Sequence, residues 1–239
     1  MRFTFIGTSH GVPEPNRQCS CILVTVKENR YLIDIGCDAV PALVNRNIDL
    51  KDVKGIFISH PHGDHANGIF AFAELANWFA TDANPAILFP IDGVKEILDQ
   101  WMRMMGGNHD PRPLDVRKYE AGVIFDDGIL KVTAVPTKHC NDSHAFLLEA
   151  EGKRVVYTGD MAGTVEDFPY DTVKRGTDFL ICESAHFSTM KYAEILKDLP
   201  IKQVAITHHF APNEHFVEAK KALKPLPMTL AYDGMEFEI

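Results

Sequence analysis

Long hydrophobic runs are missing from this 239-residue sequence, which excludes a helix long enough to cross a membrane. The N-terminus has no apolar run followed by a small-residue cleavage site, so no export signal is indicated and we expect a cytoplasmic protein. The five cysteines are odd in number and form no Cys-x-x-Cys pair, which predicts reduced, mostly structural thiols.

Basic residues are also in the minority. Lysine and arginine number 24 against 33 aspartate and glutamate residues, and the formal net charge is −9. Binding nucleic acid along an extended surface relies on many lysine and arginine contacts to phosphate, so we expect no such surface. A small phosphate-containing substrate stays compatible with this charge, because a bound metal ion can supply positive charge locally.

Short apolar runs rich in β-branched residues alternate with stretches of helical periodicity. The predicted strands are Phe3–Ile6, Ile22–Val26, Tyr31–Ile35, Gly55–Ser59, Ala86–Phe89, Ile129–Val135, Ala145–Glu149, Arg154–Thr158, Asp178–Cys182, Gln203–Thr207 and Thr229–Tyr232. The predicted helices are Ala39–Asn45, Asn67–Phe79, Val94–Met105, Met190–Lys197 and Asn213–Leu223. Hairpin-length turns between several strands predict sheets in the middle and helices outside, in a single domain over residues 1–239.

Two pairs of segments resemble each other and predict two related halves. Asn29–Asp34 resembles Lys153–Thr158, since each is a charged turn that leads into an apolar strand. Val53–His60 resembles Ile201–His208, and both end on a hydroxyl residue followed by a histidine. Two such halves packed face to face would bring these strand ends together at one rim.

Residues 59–65, with the sequence SHPHGDH, place three imidazoles and a carboxylate between an apolar strand and a helix. In extended backbone His60 and His62 point to the same side, so both can reach one ion. The proline and glycine between the ligands then turn the chain, which lets Asp64 and His65 approach a second ion. Imidazole and carboxylate suit zinc, iron or manganese, and a polar turn with surface histidines explains this composition poorly.

Further candidate ligands follow other predicted strands. His139 comes shortly after the strand that ends at residue 135, and Asp160 follows a glycine that permits a tight turn. A carboxylate in that place can bridge two cations. In the pair His208-His209 we choose His208, because the repeat aligns it with His60. His209 would point to the opposite face and is expected either to be structural or to orient a ligand.

The cluster His60-x-His62-x-Asp64-His65, followed in order by His139, Asp160 and His208, resembles the metallo-β-lactamase superfamily over nearly the whole chain. The resemblance implies an α/β fold, a four-layered αβ/βα sandwich of two related halves, with a dinuclear metal site between them. It assigns His60, His62 and His139 to one ion, and Asp64, His65 and His208 to the other, with Asp160 bridging. Asp34 matches the superfamily's first acidic position and would orient a ligand imidazole. The implied nucleophile is a metal-bound hydroxide, which Asp64 would orient.

Two further segments resemble the ribonuclease Z and phosphodiesterase branch of the superfamily. They are residues 7–21, with GTSHGVP, Arg17 and Cys19-Ser20-Cys21, and residues 178–186. The branch has a histidine before the glutamate of the second segment, whereas Cys182 precedes Glu183 here and His186 follows three residues later. His186 is therefore a candidate general acid or substrate contact, with a capping or surface histidine as the alternative. His144 is either a pocket residue or a solvated loop histidine.

The interval between His139 and Asp160 contains only 20 residues and one hairpin. The tRNA-processing enzymes of the branch carry a long flexible arm in this interval, so the resemblance implies a substrate smaller than tRNA. A small phosphodiester fits better, such as a cyclic nucleotide, a cyclic phosphate or a short oligonucleotide. The alternatives are a thioester or lactone hydrolase on the same site, and a non-catalytic protein that binds a ligand in a metal-dependent way.

The expected cofactors are two divalent metal ions, with zinc the first choice and manganese or iron as alternatives, because these donor types accept all three. The helical segments Ala73–Phe79 and Trp101–Met105 are apolar enough to form either core or interface, which leaves a homodimer open. The second segment is also a candidate lid over the site, hinged at Gly106-Gly107.

Overall fold

The computed structural model describes residues 1–106 and 110–239, and Gly107 of the candidate hinge lies outside them. Within these residues the chain forms fourteen strands: β1 (Arg2–Gly7), β2 (Cys21–Val26), β3 (Asn29–Ile35), β4 (Val53–Phe57), β5 (Ala86–Phe89), β6 (Val116–Lys118), β7 (Gly122–Asp126), β8 (Lys131–Pro136), β9 (His144–Ala150), β10 (Lys153–Tyr157), β11 (Phe179–Ser184), β12 (Val204–His209), β13 (Met228–Leu230) and β14 (Glu236–Glu238). Over the same ranges it forms seven α-helices: α1 (Val40–Val44), α2 (Gly63–Ala66), α3 (Ile69–Trp78), α4 (Val94–Gly106), α5 (Tyr170–Val173), α6 (Lys191–Ile195) and α7 (Phe216–Ala222).

The strands form two seven-stranded sheets of matching connectivity. The first sheet has the order β14-β1-β2-β3-β4-β5-β6, and the second has the order β13-β12-β11-β10-β9-β8-β7. In the first, β1, β2 and β3 are antiparallel neighbours, while β3, β4, β5 and β6 run parallel. In the second, β8, β9 and β10 are antiparallel and β10 to β13 run parallel. Each half therefore consists of a meander followed by parallel strands.

The two sheets pack face to face, and helices cover their outer faces. One apolar core lies between the sheets and takes Phe3, Tyr31 and Phe57 from the first sheet and Phe146 and Phe179 from the second. Two outer cores lie between each sheet and its helices. Alternate residues of one strand enter different cores, as the period of two in a strand requires. The four-layered αβ/βα sandwich is therefore confirmed.

The sequence predicts the central strands better than the edge strands. The three strands missing from the prediction are β6, β7 and β14, and each lies at an edge of its sheet. An edge strand buries fewer side chains, so its apolar pattern is weak. The helix predicted over Asn67–Phe79 begins at Ile69 instead. Gly68 precedes it, and a Cβ there would lie 1.9 Å from the carbonyl oxygen of Cys37.

The predicted repeat is correct for one pair of segments and wrong for the other. Asn29–Asp34 and Lys153–Thr158 contain β3 and β10, which occupy equivalent places in the two sheets. Val53–His60 contains β4, whose equivalent is β11, whereas Ile201–His208 holds all of β12 but its last residue. The alignment of His208 with His60 therefore has no basis in the topology, since short buried strands of similar composition resemble one another by chance.

The segments considered for an interface are half buried. Leu98 and Met102 of α4 contact the outer core, whereas Met104 is 78% exposed and Phe79, after α3, is 79% exposed. The exposure of these side chains does not test the homodimer, which stays a prediction. Over the two described ranges, no helix combines the length and the apolar character that a bilayer crossing requires.

Candidate metal centre

The candidate ligands come from the ends of several strands, which meet along one rim of the sandwich. His60 and His62 follow β4, and Asp64 and His65 lie in α2 directly after them. His139 follows β8, Asp160 follows β10, and His208 lies at the end of β12. All seven side chains fall into two adjoining groups of ligand atoms, and the atoms within each group lie within 4.8 Å of one another.

The first group consists of His60, His62 and His139. The Nδ1 atom of His62 lies 3.1 Å from Nε2 of His60 and 3.1 Å from Nε2 of His139. Nitrogen ligands on a tetrahedral zinc ion are separated by about 3.3 Å, given a zinc–nitrogen bond of about 2.0–2.1 Å. The three ring nitrogens are therefore spaced as ligands of one ion would be.

The second group consists of Asp64, His65, Asp160 and His208, and Asp160 also contacts the first group. Its Oδ1 atom lies 3.3 Å from Nε2 of His65, and its Oδ2 atom lies 3.4 Å from Nε2 of His208. The same Oδ2 atom is 3.6 Å from Nε2 of His60 and 3.7 Å from Nε2 of His139. Imidazole nitrogens of both groups therefore surround this carboxylate.

Two buried atoms at the centre test whether these residues fit a metal ion. Nε2 of His65 and Oδ1 of Asp160 are inaccessible to solvent, and neither has a hydrogen-bond partner among the described residues. A buried polar atom without a partner is costly unless an ion or a water satisfies it. Because both atoms face each other inside the ligand group, the residues fit a bound cation.

Hydrogen bonds on the far side of three buried rings hold them in place. Nδ1 of His65 lies 2.7 Å from Oδ2 of Asp34, Nδ1 of His208 lies 2.9 Å from Oγ of Ser20, and Nδ1 of His60 lies 3.1 Å from Oγ of Ser59. In each ring this leaves Nε2 as the nitrogen that faces the other candidate ligands. Such partners fix the orientation of a ligand imidazole and its tautomer.

Among these partners Asp34 accepts the most hydrogen bonds, and one of its donors is Tyr157, which the sequence did not single out. Its carboxylate accepts hydrogen bonds from the backbone N–H and the hydroxyl of Ser59, at 2.7 and 2.9 Å. It also accepts one at 2.6 Å from the hydroxyl of Tyr157, which reaches across from the second sheet. The sequence signal for Tyr157 was its position at the end of a buried strand, three residues before Asp160.

Burial and neighbouring charges set the protonation of these groups. Burial lowers the pKa of His60 to about 2 and that of His208 to about 4, so both rings are neutral and can offer a lone pair. Burial acts in the same direction on His65, but the carboxylates of Asp160 and Asp34 outweigh it and raise its pKa. Burial would raise the pKa of Asp160, yet the imidazoles of His65 and His208 hold it well below its usual value.

Gly36 allows the segment that carries Asp64 and His65 to approach β3. A Cβ at Gly36 would lie 1.7 Å from the carbonyl oxygen of Asp64 and 3.0 Å from the backbone nitrogen of His65. These are backbone atoms, which cannot rotate away as a side chain can. Close packing of glycine against α2 therefore sets the position of these two candidate ligands.

His186 lies beside the cluster and is held by Glu183. Its Nδ1 atom lies 2.9 Å from Oε1 of Glu183, and its ring centroid lies 4.5 Å from that of His139. Glu183 is buried and also accepts hydrogen bonds from the backbone nitrogens of Met161 and Ala185. The hydrogen bond to Glu183 raises the pKa of His186. His186, His139 and Asp160 form a further group with ligand atoms within 4.8 Å.

His209 and His144, which the sequence left without a clear role, have other surroundings. His209 is buried, and its ring nitrogens lie 2.8 Å from the carbonyl oxygen of Phe210 and 2.9 Å from that of Ala231. These contacts tie the end of β12 to the segment after β13, in agreement with the structural role expected. His144 begins β9 and packs edge-on against the ring of Tyr119, with centroids 5.1 Å apart.

Comparisons with known proteins found a matching family model and related sequences. The family model described as "Anti-Pycsar protein Apyc1" matches residues 1–222. Ribonuclease BN of Escherichia coli O6:K15:H31 (strain 536 / UPEC) is 26% identical over 230 residues, which cover 93% of this chain and 74% of that protein.

Solved structures with the same fold include the metallo-β-lactamase fold protein YhfI from Bacillus subtilis, at 18% identity and a TM-score of 0.79. The short form of human tRNase Z has 21% identity and a TM-score of 0.79, and in both cases the match covers 100% of this chain and 99% of the other. A diphosphatase of the PhnP family matches with a TM-score of 0.75 at 17% identity, over 100% of this chain and 97% of that one. The fold is thereby established. A cluster of histidine and aspartate donors that fits a metal ion lies at its rim.

Proposed function

Since the chain belongs to the anti-Pycsar protein Apyc1 family, in the ribonuclease Z-like branch of the metallo-β-lactamase superfamily, we propose that it hydrolyses a small phosphodiester. The candidates are a cyclic nucleotide, a cyclic phosphate and a short oligonucleotide. The observation that carries the proposal is the convergence of seven donor side chains, Asp160 among them, in two adjoining groups.

His60, His62 and His139 would hold one divalent cation, and Asp64, His65 and His208 would hold a second, with Asp160 between them. The imidazole-rich donor set favours zinc, with manganese and iron as alternatives. A pair of such ions, when bound, lowers the pKa of water and stabilises the negative charge that develops on a phosphoryl group. This supply of positive charge also offsets the net charge of −9 for an anionic substrate.

Asp64 is the residue best placed to orient the attacking water. It lies in the first turn of α2, and its Oδ2 atom is 3.5 Å from Nε2 of His65 and 3.8 Å from Nε2 of His208. Its side chain is 16% exposed, whereas that of Asp160 is 2% exposed. Asp64 can therefore accept a hydrogen bond from a water at the mouth of the site, while Asp160 is enclosed by ligands.

His186 is the residue best placed to protonate the leaving oxygen. A proton on Nδ1 is directed to Glu183, so Nε2 is the ring nitrogen available to a substrate. The side chain is 33% exposed and stands beside His139 and His208. The buried carboxylate of Glu183 favours the protonated imidazole by the hydrogen bond that it accepts.

The segment between His139 and Asp160 supports a small substrate. It holds β9 and β10, which form an antiparallel hairpin with its turn at Glu151-Gly152. The hairpin belongs to the second sheet and leaves no length for an arm that could grip a folded RNA. A substrate that needs only the rim around the donor cluster is therefore favoured.

The test compares three classes of substrate on protein loaded with zinc or manganese. We expect hydrolysis of bis(p-nitrophenyl) phosphate and of nucleoside cyclic phosphates, with much slower turnover of a thioester and a lactone. Asp160→Asn should remove activity, and Asp178→Asn should retain it. Asp178 is the matched control because its carboxylate bonds Lys202 and the backbone of Arg154, away from the cluster.

Turnover of only the carbonyl substrates would contradict the phosphodiester proposal and favour the thioester or lactone hydrolase. Metal-loaded protein that hydrolyses none of the esters, yet shows a ligand-induced rise in melting temperature, would instead indicate a non-catalytic binding protein.

A further inference from the structure

A cavity of about 380 Å³ opens beside the donor cluster, between the loop after β11 and the loop after β12. Its lining includes His186, Ser188, Phe210, Pro212, Asn213 and His215. His186 lines this cavity and also belongs to a group of ligand atoms with His139 and Asp160. A molecule with one end in the cavity would therefore have its other end at the donor cluster.

Phe210 provides a flat apolar surface at this cavity. One face of its ring packs on the ring of His10, with centroids 3.9 Å apart and an interplanar angle of 25°. The residue is nevertheless 52% exposed and lines the cavity. An exposed aromatic ring that is supported from one side is well suited to stack with a planar group, because stacking buries apolar surface without reordering the side chain.

The N-terminal segment explains why His10 stands behind Phe210. Ser9 forms a parallel bridge with His209, the residue before Phe210. The buried guanidinium of Arg17 donates hydrogen bonds to the carbonyl oxygens of Thr8 and His209, and so joins the same two segments. The first part of residues 7–21, one of the segments that resembles the phosphodiesterase branch, therefore has a structural role beside the cavity.

Asn213 on the cavity wall is fixed by a closed ring of hydrogen bonds. Its Nδ2 atom donates to Oγ of Ser184 at 3.2 Å, and the hydroxyls of Ser184 and Thr189 lie 2.6 Å apart. The hydroxyl of Thr189 then donates to Oδ1 of Asn213 at 2.9 Å. The ring uses one N–H and one lone pair of the amide and so holds Asn213 in place on the cavity wall.

The lining provides no basic side chain of the kind that commonly binds a second phosphate. Among the described residues that line the cavity there is no lysine or arginine, and the negative charge of Glu214 stands against the imidazole of His186, which is hydrogen-bonded to Glu183. A nucleobase suits such a lining, because it is planar, neutral at ordinary pH and edged with donors and acceptors. We propose that this cavity binds the base of a nucleotide substrate, stacked on Phe210, while the phosphodiester lies at the donor cluster; this inference rests on the proposed function.

The experiment measures binding and turnover with and without a base. Isothermal titration calorimetry on zinc-loaded protein compares nucleoside 5′-monophosphates with ribose 5-phosphate, and kinetics compare nucleoside cyclic phosphates with ribose cyclic phosphate. Phe210→Ala should weaken binding of the nucleotides about tenfold and raise their KM to a similar extent, as expected for the loss of one base-stacking contact. Affinity and kcat/KM for the base-free compounds should change less than about twofold, since the donor cluster is untouched.

Phe210→Trp should keep the nucleotide affinity of the wild type. Phe79→Ala is the matched control, because it removes another exposed phenylalanine, which lies after α3. Equal affinity of the wild type for nucleotide and ribose phosphate would overturn the inference, as would equal losses on both compounds in Phe210→Ala. Preference for the nucleotide in the calorimeter, lost in Phe210→Ala, supports the base site even if the wild type hydrolyses no phosphodiester. That last result would contradict the proposed function alone.

Discussion

The hydrogen bond from Tyr157 to Asp34 gives the sharpest test of how the donor cluster is held. Tyr157→Phe removes one hydroxyl from a buried position and leaves the ring in place. The bond is 2.6 Å long and ends on a buried carboxylate that also contacts His65. Loss of a hydrogen bond to a charged group costs about 2 kcal/mol of unfolding free energy. For a chain of this size that lowers Tm by about 4–8 °C.

Metal affinity should fall as well, because Asp34 orients His65. Loss of an outer hydrogen bond of this kind lowers metal affinity about tenfold or more. The measurement is competition between the protein and a chromophoric zinc chelator, together with calorimetric unfolding of the metal-free protein. Conversion of tyrosine to phenylalanine adds no volume, so the change tests the hydrogen bond rather than the packing.

Tyr31→Phe is the matched control. Tyr31 is also fully buried, and its hydroxyl also donates to a carboxylate at 2.6 Å, but that carboxylate belongs to Asp127. We expect Tyr31→Phe to lower stability and to leave zinc affinity unchanged. If Tyr157→Phe also left zinc affinity within about twofold of the wild type, the claim that Tyr157 positions His65 through Asp34 would be refuted.

Three further outcomes follow from the site. Chelation should abolish hydrolysis and lower Tm by about 5–10 °C, since an ion at about a hundred times its Kd adds about 2.7 kcal/mol to the free energy of unfolding. Asp160→Asn should show no such metal-dependent shift in differential scanning calorimetry. Gly36→Ala should lower metal affinity at least about tenfold, because the methyl group would displace the backbone of Asp64; unchanged affinity in the chelator competition would contradict the close approach. His186→Gln should lower kcat about a hundredfold on a nucleoside cyclic phosphate, whose leaving oxygen needs a proton, and far less on bis(p-nitrophenyl) phosphate; equal losses on both would argue against a general acid.

The sequence alone was sufficient to point to the candidate donor residues. Histidine and aspartate at the ends of apolar strands are uncommon, and the cluster His60-x-His62-x-Asp64-His65 carries its spacing within one segment. The structure brings this segment together with His139, Asp160 and His208. Asp34, expected to orient an imidazole, has its Oδ2 atom 2.7 Å from Nδ1 of His65. The layered fold was equally accessible, because buried central strands have a strong apolar pattern.

The tertiary structure decided what depends on contacts between distant parts of the chain. The repeat pointed to His208 through an alignment that the strand order contradicts, yet Nε2 of His208 still lies 3.4 Å from Oδ2 of Asp160. The hydrogen bond of Tyr157 to Asp34 and the stacking of His10 on Phe210 join residues more than a hundred positions apart. Local composition and periodicity determined which residues can be ligands and which segments are strands. Which groups orient those ligands, and which side chains form the cavity beside them, were decided only when the two sheets packed, because packing alone sets distances between residues remote in sequence.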